Sequence, residues 1–366
     1  MTGTPSQRSS SARMLGSCSK NADTWFHERQ ALGNVDLARF ARRADLSPRS
    51  LCATIVGARS RRVQSSAQQP VQAHRSGEIR KMLANLKTGS LAGKRQNLLL
   101  MVLVAVYWAL ALLDPVELSG DAAEAVYYTQ SLAWLAFVLI HGSKRYGWDN
   151  LFIFFGITFL VSWSIESVSI VTGSPFGNYY YTDLLGAKIG TVPLAVPAAY
   201  FVAGYLAWTM GTIFLGELGT GIEGKSLFLV PAIASLIMVM WDLCLDPIKS
   251  TIEGAWVWEG GGVYYGVPIT NYFGWYLTGM LIFQLFSLYL HRFSANRSVT
   301  QTRTYWTLAP VMYLGLALPY LLNPFYQTEY LEIYWASFLV CTLTMVLASV
   351  LSAVSVRRMD AECFQH

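Results

Sequence analysis

Long apolar blocks separated by short polar connections run through most of the chain. Runs such as 98–113 and 152–161 are longer than the apolar stretches of a water-soluble core. Eight segments reach or approach the length that crosses a bilayer: roughly 97–113, 125–141, 150–172, 193–215, 226–246, 268–290, 305–322 and 333–355. The pattern predicts an all-α, polytopic transmembrane helix bundle of about eight spans.

Composition agrees with a lipid environment and divides the chain by charge. The sequence is 53% hydrophobic and 13% charged, whereas soluble domains are about 25% charged. The first 95 residues carry 17 of the 27 Lys and Arg residues but 5 of the 22 Asp and Glu residues. The beginning is therefore basic and the remainder acidic. Neither part contains a nucleic-acid-binding motif.

Residues 1–94 are rich in Ser, Arg, Gln and Ala and show no sustained periodicity, which predicts a disordered basic extension. An organelle transit peptide has a similar composition. We favour a true start at Met82, because a short basic run leads from there into the first apolar segment. Residues 95–356 form the predicted transmembrane domain, and 357–366 form a cytoplasmic tail.

The basic residues of short loops predict orientation, because Lys and Arg remain on the cytoplasmic side. Connections 114–124, 173–192, 247–267 and 323–332 carry only Lys188 and Lys249, and they alternate with more basic loops and a basic tail. These basic segments contain Lys144, Arg145, Lys225, Arg292, Arg297, Arg303, Arg357 and Arg358. Both termini are therefore expected in the cytoplasm, in a bacterial or archaeal cytoplasmic membrane.

Two connections echo each other. Glu166 precedes GSPFGNYYYTDLLGAKIGTVP, and Asp246 precedes GAWVWEGGGVYYGVP. Each unit has a carboxylate near a helix end, a Gly, aromatic residues, adjacent Tyr residues and a closing Val-Pro. The echo predicts a parallel internal repeat, an arrangement known in membrane proteins.

Three carboxylates fall at predicted membrane depth, where an unpaired charge costs several kcal/mol. Asp242 and Asp246 stand four residues apart, on one face of a helix, while Glu166 and Asn271 lie at similar depth. Close carboxylates in an apolar site do not both ionise easily, so one can hold a proton. The four residues are candidate catalytic groups. Alternatively, Asp246 only ends a helix before Pro247.

Aromatic residues are dense around the same connections. Interfacial belts account for many of them, but several are interleaved with Gly and Pro in SPFGNYYYTD and WVWEGGGVYYGVP. Such loops can line a cleft for a long apolar ligand and stabilise a positive charge through ring faces. The predicted substrate-binding residues are Tyr179, Tyr181, Asp183, Trp241, Trp256, Trp258, Tyr264 and Trp275.

No metal or cofactor site is predicted. The five cysteines are scattered, without a CxxC or a Cys/His pair at metal-ligand spacing. Gly260, Gly261 and Gly262 lack the Lys and the following helix of a phosphate-binding loop. We expect Cys244 and Cys341 to be small apolar packing residues.

Three strings carry a resemblance: SPFGNYYYTDLLGAKIGTVPLAVP, WDLCLDP and GAWVWEGGGVYYGVPITNYFGW. In these strings, and over roughly residues 100–350, the sequence resembles the carotenoid biosynthesis protein family. These integral membrane proteins include carotenoid 1,2-hydratases and bisanhydrobacterioruberin hydratases. The resemblance implies cofactor-independent addition of water to the terminal double bond of an acyclic carotenoid. The implied partners are a carotenoid in the bilayer, water and other membrane enzymes of the pathway.

The implied reaction needs a general acid, a group that positions water and walls that tolerate a tertiary cation. Our hypothesis assigns Asp242 or Asp246 as the acid, and Glu166 and Asn271 as partners of the water. Tyr181, Trp256 and Trp258 form the walls. Other readings remain open: a carotenoid carrier or scaffold, a proton-coupled transporter using the same carboxylates, or an isomerase- or cyclase-like enzyme.

Overall fold

The computed structural model describes residues 95–113, 120–294 and 301–359. Most of these residues are helical, which confirms the all-α class. The predicted basic extension, including Met82, lies outside the described residues, as does residue 360 onward in the predicted tail. The division into an extension, a transmembrane domain and a tail therefore stays a prediction.

Eight α-helices follow one another along the described chain. Two of them extend into π-helical turns, at Pro247–Ile252 after α4 and at Thr342–Val346 between α7 and α8. The helices are α1 Arg95–Ala111, α2 Asp121–Thr172, α3 Ala195–Phe214, α4 Ser226–Asp246, α5 Ile269–Phe293, α6 Arg303–Leu322, α7 Leu331–Cys341 and α8 Leu347–Arg358.

Within the described residues, five helices are long and apolar enough to cross a membrane. They are Asp121–Thr172, Ser226–Ile252, Ile269–Phe293, Arg303–Phe325 and Leu331–Arg358, and they indicate an integral membrane protein. The predicted count of about eight spans is not confirmed. Segments 125–141 and 150–172 both lie in α2, where Gly147 breaks the helix with φ 76° and ψ 168°.

α3 occupies the core of the bundle. Every residue from Tyr200 to Ile213 is buried, and the helix packs against α2, α4 and α6. The ring of Phe286 lies 5.2 Å from that of Trp208 and 4.7 Å from that of Phe154, which joins α5, α3 and α2. Outward-facing side chains of α2 and α5, such as Phe152 and Phe273, are apolar and exposed. This distribution is the one expected when lipid is the outer solvent.

Short strands form in the connections that follow α2 and α4. β1 (Tyr179–Tyr181) pairs antiparallel with β4 (Trp256–Trp258). A second ribbon joins β2 (Lys188–Ile189) to β3 (Val192–Pro193). The β1–β4 ribbon therefore joins the two connections whose sequences echo each other. The predicted internal repeat itself is not confirmed.

Arg145 lies beside the break in α2, at the end of segment 148–172 that is remote from the β1–β4 ribbon. The sequence predicted a loop at Arg145, but α2 continues through this residue to Gly147, and the side chain is buried. Its guanidinium donates to the carbonyl oxygens of Glu217, at 2.8 Å, and Gly219, at 3.1 Å, and to Thr212 Oγ1, at 2.9 Å. The buried guanidinium thus supplies hydrogen-bond donors to backbone carbonyl oxygens in the connection between α3 and α4.

The Arg145 contacts predict a large loss of stability on truncation. Arg145→Ala leaves buried carbonyl oxygens without their charged donor, so we expect the free energy of unfolding to fall by about 2–3 kcal/mol. A denaturant titration in detergent micelles measures it. Arg292→Ala, at an exposed position of the same end, is the control and should change stability by less than about 0.5 kcal/mol. Equal losses in both variants would contradict the buried role of Arg145.

Candidate functional site

Two aspartates and one asparagine form the centre of the candidate site. Asp242 and Asp246 lie in the last turns of α4, and Asn271 lies in the first turn of α5; all three are buried. Asn271 Nδ2 donates to Asp242 Oδ2 at 2.9 Å and to Asp246 Oδ2 at 2.6 Å. Since an amide nitrogen carries two hydrogens, one side chain serves both carboxyl groups.

The second oxygen of Asp246 is held from the ribbon. Trp256 Nε1 donates to Asp246 Oδ1 at 2.8 Å, and Trp258 Nε1 donates to the same atom at 3.3 Å. The two indoles reach it together because residues two apart in a strand face the same side. Asp246 thus accepts three N–H donors, whereas Asp242 accepts one among the described contacts.

Glu166 is held by the other strand of the ribbon. Its Oε2 atom accepts the hydroxyl of Tyr179 and, at 2.9 Å, that of Tyr181. Glu166 is buried in α2, and Tyr180, between the two tyrosines, is exposed. The alternation of the strand therefore aims two phenols at one carboxylate.

Strand pairing joins these groups into one site. Tyr179 pairs with Trp258 and Tyr181 pairs with Trp256, so each phenol lies beside an indole, with ring centroids 4.9 Å and 6.0 Å apart. Glu166 lies close enough to Asp246 for their charges to interact. The four predicted catalytic residues, Glu166, Asp242, Asp246 and Asn271, are thus gathered beneath one aromatic ribbon.

The phenols of the ribbon remain hydrogen-bond donors at neutral pH. Burial raises the pKa of Tyr179 and of Tyr181 well above the usual value, and the nearby charge of Glu166 raises both further. Burial also raises the pKa of Tyr264 to about 12, and its hydroxyl donates to the carbonyl oxygen of Leu243 at 3.3 Å. Tyr264 therefore supports the end of α4 rather than a carboxylate.

The other predicted binding residues divide into two groups. Trp241 and Trp275 are edge to face, 6.2 Å apart, and Trp241 meets Trp134 at 6.0 Å. Trp134, Trp241 and Trp275 thus form an aromatic wall that extends from beside Asp242 into the bundle. Asp183 is not brought to this site: it is exposed and pairs with Lys188 at 3.0 Å. Among the described residues, no group of three or more His, Cys, Asp or Glu is arranged to hold a metal ion.

Sequence reasoning missed three buried polar atoms of the site. Asp242 Oδ1 and the hydroxyl of Tyr272 are buried without a hydrogen-bond partner. The hydroxyl of Tyr200, on α3, is buried in the same way, and it lies near both Glu166 and Asp242. A tyrosine at the depth of the carboxylates was the available signal, but in the apolar string AAYFVAGY it resembles a packing residue.

Comparison with known protein families identifies the family to which the chain belongs. The family model described as "Carotenoid biosynthesis protein" matches residues 124–350, which include all four residues of the carboxylate site. The chain belongs to the carotenoid biosynthesis protein family. This assignment confirms the resemblance seen in the motifs, and it places the protein in carotenoid biosynthesis.

One relative in this family has a named activity. The chain is 33% identical over 139 residues to the bisanhydrobacterioruberin hydratase of Haloarcula japonica. The match covers 38% of this chain and 45% of the relative, so the chain spans less than half of the relative's length. No solved structure matches the chain.

Because the Asn271 amide bonds to both aspartates, its substitution should lower the free energy of unfolding more than substitution of the neighbouring Thr270. Asn271→Leu removes two hydrogen bonds to buried carboxyl groups, and we expect a loss of about 3 kcal/mol in the free energy of unfolding. Thr270→Val is the matched control, since Thr270 Oγ1 donates only to the carbonyl oxygen of Phe176, at 2.8 Å. It should cost about 1 kcal/mol. Unfolding titrations in detergent that give equal losses would argue against the bridging role of Asn271.

Proposed function

We propose that this protein hydrates the terminal double bond of an acyclic carotenoid, without a cofactor. The observation that carries the proposal is the unequal hydrogen bonding of the two aspartates. Three N–H donors stabilise the charged form of Asp246. Asp242 has one donor and a buried oxygen without a partner. Asp242 is therefore the carboxyl group suited to hold a proton and deliver it to an alkene.

The reaction follows from this division of charge. Asp242 protonates the less substituted carbon of the end group, and the positive charge develops on the carbon that carries two methyl groups. The carboxylates of Asp246 and Glu166 and the ring faces of Trp256 and Trp258 stabilise that charge. Water then forms the C–O bond and releases a proton. The product is a tertiary alcohol, and no electron is transferred.

Glu166 is the proposed acceptor of the proton that water releases. It is buried and held by two phenols that stay protonated, so its position is fixed before substrate binds. Glu166 lies close enough to Asp242 for the two carboxyl groups to interact, and return of the proton from Glu166 to Asp242 closes the cycle. Such a cycle regenerates the site with no other reagent.

The polyene is proposed to lie along a row of indole rings. Trp134, Trp241 and Trp275 form a chain of edge-to-face contacts that leads away from the carboxylates. A carotenoid dissolved in the bilayer would place its end group at the carboxylates and its conjugated chain along these rings. A carotenoid carrier would use the same wall without changing the pigment, and a transporter would use the carboxylates to move protons.

Substitution of Asp242, the proposed acid, distinguishes a hydratase from a carrier or a transporter. In a lycopene-producing bacterium, we expect the wild-type protein to form a more polar, hydroxylated pigment, measured by chromatography and mass spectrometry. Asp242→Asn keeps the shape of the side chain but cannot donate a carboxyl proton, so hydration should fall about 100-fold or more.

The control is Glu259→Gln, which removes an exposed carboxylate beside β4 and should leave product formation unchanged. Protein amounts in the membrane must be equal in all strains. Undiminished hydroxylated pigment with Asp242→Asn would remove Asp242 from the mechanism. An unmodified pigment with the wild type would favour a carrier.

We further propose that both termini face the cytoplasm and that the ribbon faces outward, since the basic residues Lys144 and Arg145 lie beside the break at Gly147, at the end of segment 148–172 of α2 that is remote from the ribbon. Leu184 and Lys225 are both exposed, in the connections after α2 and α3. With Cys18, Cys52 and Cys363 replaced by Ser, an impermeant maleimide should label Leu184→Cys in intact cells. Lys225→Cys should react only after the membrane is opened, and the reverse result would invert the proposed orientation.

A further inference from the structure

Tyr200 connects the two halves of the carboxylate site. Its side chain is 1% exposed, and its ring stacks on Trp275 with centroids 4.3 Å apart and planes inclined by 10°. The stacking fixes where the hydroxyl lies, because the ring cannot turn away without losing the contact. The hydroxyl is buried and has no partner in hydrogen-bonding geometry.

The surroundings of this hydroxyl are polar. Glu166 and Asp242 both lie within charge-interaction distance of Tyr200, and Thr278 of α5 lies near it. Asp242 Oδ1 is likewise buried without a partner. Two such polar atoms in one region are costly, since each loses about 1–3 kcal/mol of hydrogen-bond energy. A small polar ligand that bonds to both removes that cost.

We propose that Tyr200 is a positioning residue that holds the reacting water between Glu166 and Asp242. A buried water needs two to four polar partners. The Tyr200 hydroxyl, the Glu166 carboxylate and, once Asp242 has given up its proton, the Asp242 carboxylate supply three. The proposal rests on the hydration reaction proposed above.

The step that depends on Tyr200 is the capture of the cation. The π electrons of the double bond form a C–H bond with the proton of Asp242, which leaves a tertiary cation. A lone pair of the held water forms the C–O bond, and the proton that this oxygen releases goes to Glu166. If water is badly placed, the cation instead loses a proton from a neighbouring carbon and becomes an alkene again.

This competition gives a direct test in D₂O. Membranes containing wild-type protein or Tyr200→Phe are incubated with lycopene, and mass spectrometry measures both alcohol and deuterium in the recovered hydrocarbon. The variant keeps the stacked ring and loses only the hydroxyl. We expect alcohol formation to fall about tenfold or more, while deuterium enters the hydrocarbon at the wild-type rate or faster. The ratio of the two products does not depend on how much protein accumulates.

Tyr205→Phe is the matched control, because it removes another buried hydroxyl of α3, bonded to His141 Nδ1 at 2.6 Å and away from the carboxylates. Its product ratio should equal that of the wild type. An unchanged ratio for Tyr200→Phe, or an equal fall of alcohol and deuterium, would overturn the role of Tyr200. If the wild type forms no alcohol, the hydration function itself fails, which is a different result.

Discussion

Burying three carboxyl groups among apolar helices is the constraint on which the rest of the structure depends. A carboxylate cut off from water is stable only when donors surround it. Asn271 serves Asp242 and Asp246, two indoles serve Asp246, and two phenols serve Glu166. None of these donors is a cation, so the site keeps its acidic character instead of neutralising it in ion pairs.

The need for donors explains the folding of the connections after α2 and α4. Tyr179 and Tyr181 reach Glu166 only if β1 lies over the end of α2, and Trp256 and Trp258 reach Asp246 only if β4 lies over the end of α4. Pairing β1 with β4 also satisfies the backbone of both segments, which matters where water is scarce. The opposite end uses a cation, Arg145, on backbone carbonyls. The two ends of the bundle therefore differ in charge.

Sequence analysis can find residues whose burial is costly, because a carboxylate inside an apolar segment is recognisable in the sequence itself. The spacing of Asp242 and Asp246 on a helical face and the depth of Glu166 and Asn271 predicted residues that the structure gathers. The ribbon was not predicted, because β1 and β4 are three residues each and lie far apart along the chain. Asp183 was assigned to the site by its place in a motif, yet an exposed turn separates it from the carboxylates. Hydropathy located the helices and an interruption between residues 141 and 150, but it predicted a loop where α2 has a break at Gly147.

The asymmetry between the aspartates bears on the choice among functions. A carrier needs apolar walls, and buried carboxylates add only cost to such a protein. A proton-coupled transporter needs carboxylates that exchange protons with both sides of the membrane, yet the ribbon encloses Glu166 and Asp246 from one end and the buried segment 200–213 of α3 packs in the core of the bundle. A hydratase needs one protonated carboxyl, one charged carboxylate and a fixed place for a single water. The donors on Asp246, the unpartnered oxygen of Asp242 and the enclosed hydroxyl of Tyr200 meet these three needs together, which is why hydration is the function that this arrangement favours.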